Sequence, residues 1–202
     1  MTTNKAIHEW LEYENGSRDE DIMKETSEVE DKKDNSWKPP PKGYILMNTD
    51  VGLNIQKRRV GGGIITRKDD GSLIKAWAAS ESKLGEPEVE EALAIRQALN
   101  IAKQNGWRKI MIQFDCKRII DKIREKNTED SNIGVMLFDI LKISQHFAEC
   151  YFSFIKREGN CVAHQLAKFA INLIDEIVWK DSFPDWLNSL ARRDIGASAT
   201  DM

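Results

Sequence analysis

The stretch that decides the architecture runs YILMNTD (Tyr44–Asp50), VGGGIITR (Val60–Arg67), LIKAWAA (Leu73–Ala79) and EVEEALAIRQALNIAKQN (Glu88–Asn105). The first three runs are short, apolar and rich in strand formers, and the turn Lys68-Asp69-Asp70-Gly71 separates the last two, so they predict an antiparallel meander. The fourth places Ala92, Ile95, Leu99 and Ala102 in helical period and has Gly106 positioned to end it. Working toward the C-terminus, KIMIQFD (Lys109–Asp115) reads as a buried strand that stops at an acid. A helix over Lys117–Lys126 follows, then the polar turn NTEDSN and a second long helix carrying Ile133, Met136, Leu137, Ile140, Leu141 and Phe147. The strand YFSFIK (Tyr151–Lys156) then precedes a helix capped by Asn160. The order βββαβααβα predicts an α/β fold with a mixed five-stranded sheet flanked by helices. Strands separated by helices pair in parallel, and strands joined by short turns pair antiparallel.

Working toward the N-terminus, Ser36–Gly43 (SWKPPPKG) contains three consecutive prolines, which neither a helix nor a central strand accepts. Residues 1–36 hold 11 Asp or Glu against 5 Lys or Arg, a local charge of −6, while the remaining residues carry +3. The acidic segment has too few apolar residues to bury a face and reads as a disordered arm, either a solvating tail or a docking arm for a protein partner. The expected division is therefore an arm over 1–36, a folded domain over 37–178 and a short helix with a frayed tail over 179–202. In that last segment Trp179, Phe183, Trp186, Leu187 and Leu190 are expected to pack against the sheet. No run approaches the roughly 18 apolar residues of a membrane span, and the N-terminus lacks the apolar core of a secretory signal. The chain is expected to be soluble, monomeric and intracellular, in nucleus or cytoplasm. Cys116, Cys150 and Cys161 are an odd number without a C-x-x-C pair and suggest neither a disulfide framework nor a zinc site.

Carboxylates on or beside apolar surfaces are the informative anomaly, because a buried charge needs a partner and a metal ion is one such partner. On a helical wheel, Glu91 lies about 50° from the centre of the Ala92-Ile95-Leu99-Ala102 stripe and Glu90 about 150° from it. Glu91 therefore leans toward the core and Glu90 toward water. The alternative role for Glu91 is that of a first-turn acid favoured by the helix dipole. Asp50 ends the first strand and Asp115 ends KIMIQF, where each is either a site residue or a turn or cap residue. His164 lies opposite the stripe Val162, Leu166, Phe169, Ala170 and Leu173, which leaves it an exposed histidine or a member of a site. Asn160 is a plain cap, or a cap whose amide also reaches substrate.

The ordered set Asp50, Glu91, Asp115 and Gly159-Asn160-Cys161-Val162-Ala163-His164-Gln165-Leu166-Ala167-Lys168 resembles the ribonuclease H fold. It looks closest to the plant reverse-transcriptase-like group related to the ends of non-LTR retrotransposon polyproteins. The resemblance spans about Trp37 to Ile195 and includes the W-K-P-P lead-in, N-T-D, E-A-L-A-I-R-Q-A-L, F-D-C-K and P-D-W-L-N-S-L. It implies hydrolysis of the RNA strand of RNA–DNA hybrids with two Mg²⁺ ions, or Mn²⁺, leaving a 5′-phosphate and a 3′-hydroxyl. It also implies a metal site made of Asp50, Glu91, Asp115 and His164, with Asp50 bridging both ions. His164 stands where the family often has Asp, and Val51-Gly52 stands where the family usually has Gly directly after the Asp. Gly52 and Asn160, the latter through its amide, are the implied substrate contacts, and Lys57 and Arg58 in the first hairpin are candidate phosphate contacts, with a nuclear signal or a solvated turn as the alternatives for that loop. The alternative is a relative of the same fold that binds nucleic acid or protein without cleaving it.

Overall fold

Strand β1 (Ile45–Asn54) is the spine of the molecule. The structure is a computed structural model and describes residues 37–83, 85–129 and 133–199, the side chains of 196–199 excepted. The acidic arm over 1–36 lies outside the described residues. Along β1, β2 (Arg59–Arg67) pairs antiparallel on one side, and β3 (Leu73–Glu81) continues the meander. On the other side β4 (Lys109–Phe114) and then β5 (Glu149–Phe154) pair in parallel. These directions are those expected from short turns within the meander and helical crossovers after it.

The sheet has six strands, however, in the order β5-β4-β1-β2-β3-β6. The sixth, β6 (Ile177–Lys180), pairs antiparallel with β3. The five-strand expectation fails here because four residues, IVWK, are too few to display an alternating period; the open edge of β3 selects their conformation. Strand β1 also runs beyond Asp50 to Asn54, carried by its pairing with Gly61–Gly63 and Val60.

Helices α1 (Pro87–Gln104), α2 (Lys117–Glu125) and α3 (Gly134–Ser144) cover one face around Met47, Ile64, Ile95, Leu99, Ile112 and Leu137. Proline opens α1 at its first turn, and Gly106 (φ +68°) stops it, as its sequence position foretells. Helices α4 (Cys161–Ala170) and α5 (Asp185–Ala199) cover the opposite face. There Trp179, Phe183, Trp186, Leu187 and Leu190 all join the core, as expected, with Trp179 contributed by β6. The final helix is longer than the frayed tail predicted from GASATDM, since its backbone stays helical to Ala199. Trp37, at the start of the described chain, is buried with Tyr44, Leu46 and Met111. No helix among the described residues is long and apolar enough to cross a membrane.

The glycines of β1 and β2 set how closely α4 approaches the sheet. A Cβ on Gly63 would fall 2.5 Å from the Ala167 nitrogen and 2.7 Å from the Ala163 oxygen, and one on Gly61 would fall 2.7 Å from the Ile171 nitrogen. Helical backbone cannot yield as a flexible side chain does, so the absent side chains are what let the helix lie on the strands. Replacing Gly63 by Ala is expected to lower stability by about 1–3 kcal/mol, measured as the loss in urea unfolding free energy. An unchanged unfolding curve would contradict this account of the contact.

Candidate metal centre

Strand β4 ends its pairing with β1 at Asn48↔Gln113, whereas β1 continues alongside β2. A gap therefore opens beside Asp50, with Asp115 directly after the last residue of β4. Asp50 shares a face of β1 with Leu46, Asn48 and Gly52, because alternate strand residues point the same way. Glu91, near the start of α1, comes from the helical layer on the other face. At the gap the two layers meet: one carboxylate oxygen from each of Asp50, Glu91 and Asp115 lies within 4.8 Å of the other two. Asp50 is buried and the other two are half-buried.

The electrostatics follow from that crowding. Burial pushes the Glu91 carboxyl well above its ordinary value, and the charges of Asp50 and Asp115 push it further, with Arg157 and the Val51 N–H pulling weakly the other way. Its Oε2 is buried without a hydrogen-bond partner. Asp50 is also raised, first by burial and then by Asp115, against the opposing pull of His164. The Arg157 guanidinium stands 4.0 Å from Asp115 Oδ2 with its side chain mostly in water. Three clustered oxygen donors, one of them orphaned, form the donor set that a hard divalent cation takes. These residues fit a divalent metal.

His164 stands beside this group and not within it. Its Nδ1 lies 2.6 Å from Asp50 Oδ2, an imidazole–carboxylate contact at the edge of the cluster. The wheel places the side chain correctly, away from the helix core, and the surface-histidine alternative falls because only 17% of it is exposed. Asn160 does not act as expected at the head of α4: its side chain makes no cap bond. Its Nδ2 donates instead to the Thr49 carbonyl at 2.9 Å, and the residue is buried, its Oδ1 without a partner. The strand beside Asp50 offers this amide an acceptor that the sequence alone does not reveal. The Asn160 carbonyl meanwhile accepts from the His164 N–H at 3.0 Å. Asn160 thus ties the start of α4 to β1 one residue from Asp50.

The remaining candidates lie elsewhere. Gly52 is buried against α4, where a Cβ would meet Ile171 Cδ1 at 3.1 Å and the Ala167 oxygen at 3.2 Å, so its missing side chain serves helix packing. Lys57 and Arg58 lie in the exposed β1–β2 turn, with Lys57 Nζ donating to Asn172 Oδ1 at 2.9 Å and Arg58 in the left-handed region (φ 49°). Glu90, expected to face water, is buried. The loop after β3 covers it, with Lys83 Nζ 3.6 Å from its Oε1 and Gly85 packed over the carboxylate. The wheel treats the helix alone and cannot see that loop. Sequence reasoning missed Arg157; the signal available was a basic residue just past a strand parallel to the one that ends at Asp115. The three thiols are unpaired, and burial raises Cys116, Cys150 (to about 12) and Cys161, which suits space-filling.

A family model described as reverse transcriptase-like matches residues 48–170, more than half of the chain and all of the site. No curated protein matches. Among solved structures, RNase H1 from the halophilic archaeon Halobacterium salinarum NRC-1 is similar, with a TM-score of 0.59 and 16% identity over 64% of this chain and 98% of that one. The N-terminal RNase H domain of a Mycobacterium tuberculosis protein gives 0.58 and 14% over 64% and 94%. LC11-RNase H1, solved in complex with an RNA/DNA hybrid, gives 0.57 and 19% over 63% and 96%. At these identities the likeness establishes the fold, a ribonuclease H-like mixed sheet between two helical layers.

The raised Glu91 carboxyl carries a signed consequence for the metal-free protein. Below the ordinary value of about 4.5 both folded and unfolded chains hold the proton and Glu91 costs nothing. As pH rises above it the unfolded chain ionises first, so the burial cost grows until the folded-state carboxyl is also ionised. Glu91→Gln in EDTA is therefore expected to match wild type in Tm near pH 4. At pH 8 it is expected to exceed wild type by roughly 2–4 °C, about 1 kcal/mol. A variant destabilised equally at both pH values would show that Glu91 is not under electrostatic strain.

Proposed function

Since the chain belongs to the reverse transcriptase-like, ribonuclease H-like family, we propose that it is a metal-dependent endonuclease that hydrolyses the RNA strand of RNA–DNA hybrids. The observation that carries this reading is the convergence of Asp50, Glu91 and Asp115 within 4.8 Å of one another, with a buried oxygen of Glu91 left unpaired. Those three residues would hold divalent metal, Mg²⁺ or Mn²⁺. When bound, such ions activate water and stabilise the charge that develops on the leaving oxygen. In the hydrolysis the P–O3′ bond breaks and water adds to phosphorus, which leaves a 5′-phosphate and a 3′-hydroxyl.

The chain's own residues position this apparatus. The His164 imidazole orients the Asp50 carboxylate through the 2.6 Å contact. Asn160 holds the head of α4 on β1 so that His164 stays in reach. The glycine seat sets the height of that helix above the strands. Burial, and then the neighbouring acids, hold the Asp50 and Glu91 carboxyls above their ordinary values without metal, so a cation that neutralises them also stabilises the fold.

A second reading is a nucleic-acid-binding module without cleavage. It is favoured by His164, which supplies no fourth carboxylate and whose Nδ1 is engaged by Asp50. Cleavage of an end-labelled hybrid in Mg²⁺ and in Mn²⁺ separates the two. The nuclease reading expects wild-type cleavage, a metal-induced rise in Tm, and loss of both in Asp50→Asn with activity down at least about 100-fold, the usual cost of removing a group that acts in the transition state. Cleavage by His164→Asp alone would assign an intact scaffold silenced at one position. Absence of cleavage in both, together with retained hybrid binding, would establish the second reading.

A further inference from the structure

We infer that Arg157 and Lys117, on the rim at the carboxyl end of β4 and β5, seat the phosphate backbone of the hybrid beside the carboxylate cluster. This inference rests on the nucleic-acid reading above and relocates the phosphate contacts from Lys57 and Arg58. Strands β4 and β5 are parallel and in register to Phe114↔Phe154, so the residues that follow them leave the sheet at one edge. Asp115 and Lys117 follow β4, and Arg157 follows β5. Lys117 is exposed at the first position of α2. Arg157 is 67% exposed and its Nε is 4.0 Å from Asp115 Oδ2, a distance at which the guanidinium is attracted to the carboxylate without being locked to it. Its planar fork is then available to two oxygens of a phosphodiester, the geometry that a guanidinium matches best.

Neighbouring charges support the same side. Arg118 and Lys122 are committed to Glu88 of α1, at 2.7 and 3.8 Å, and brace the two helix starts against each other. On the opposite flank, beside Val51, a cavity of about 310 Å³ between α1 and the sheet is lined by Glu81, Glu90 and Glu176, with Arg96 as its cation. Arg96 itself lies 3.1 Å from Asp139. Lys83 stands 2.8 Å from Glu81 and 3.6 Å from Glu90, so the cations on that wall are already paired and its three carboxylates leave it acidic beside a triply acidic centre. A backbone approaching the cluster meets exposed cations on the Arg157 and Lys117 side. Lys57 and Arg58 sit in the turn at the far end of β1, several residues beyond Asp50.

The test is binding of a fluorescently labelled RNA–DNA hybrid by the full chain in EDTA, which prevents metal-dependent cleavage, over a salt series. Each phosphate contact removed lowers the slope of log K against log salt by roughly 0.7–0.9. Arg157→Ala and Lys117→Ala are each expected to lower it by about that much and to weaken binding several-fold at ~0.1 M salt. Lys57→Ala is expected to leave the slope unchanged, and Arg157→Lys is expected to restore it because a point charge at that site suffices for counterion release. The Mn²⁺-induced rise in Tm is expected to persist in Arg157→Ala, which separates a phosphate seat from damage to the metal centre. Unchanged slopes in Arg157→Ala and Lys117→Ala, or a loss confined to Lys57→Ala, would overturn the inference while leaving the nuclease reading intact. Failure of wild type to bind hybrid, RNA or duplex DNA at ~50 mM salt, in EDTA or in Ca²⁺, would instead overturn the nucleic-acid reading itself.

Discussion

Three carboxylates that converge within 4.8 Å of one another in a partly buried gap repel one another and lose hydration together, and the rest of the molecule is arranged to hold them there regardless. Two come from adjacent parallel strands and one from the helix on the opposite layer, so no single element could relieve the repulsion by shifting alone. The raised carboxyls of Asp50 and Glu91 are the direct expression of that constraint. Such an arrangement is costly in the metal-free fold and favourable only in the presence of positive charge, which is why the cluster reads as a binding centre and not as a chance grouping of surface acids.

The layer that carries His164 is held by two different kinds of contact. Gly61 and Gly63 lower α4 onto the sheet, and Asn160, the residue just before it, bonds to the Thr49 carbonyl. One sets height and the other sets register, so the imidazole meets Asp50 without needing a long, entropically expensive side chain. A second polar connection runs across the same region: Trp37 Nε1 donates to Asn48 Oδ1 at 3.2 Å, and Asn48 Nδ2 donates to Gln113 Oε1 at 3.1 Å. All three residues are buried. This chain locks β1 to β4 at the last pair before the gap, which is where the two aspartates must be kept in step.

Much of the fold is legible in the chain because its signals are local. The meander is visible in three short apolar runs and one turn, α1 in its spacing and terminal glycine, and the parallel strands in apolar runs separated by helical segments. Asp50, Glu91 and Asp115 are legible too, since an acid at the end of an apolar strand or leaning toward a helix core is anomalous wherever the rest of the chain lies. Strand β6 is not legible, because four residues carry no period and the vacant edge of β3 decides their state. The burial of Glu90 is equally hidden, since it depends on a loop folding back over the helix that follows.

What the amino-acid sequence determines by itself is the alternation of elements, the apolar stripes and the identity of the three acids, all properties of spacing along one segment at a time. Tertiary structure decides the partners: that His164 grips Asp50, that Asn160 bonds to β1 where a helix cap was expected, that Gly52 packs against α4, and that Arg157 borders Asp115. Each of these joins residues more than 40 positions apart. The physical reason is that a hydrogen bond, a close backbone approach or an ion pair acts over a few ångströms. Which groups come that close depends on strand order and helix seating, and neither is written in any one stretch of the chain.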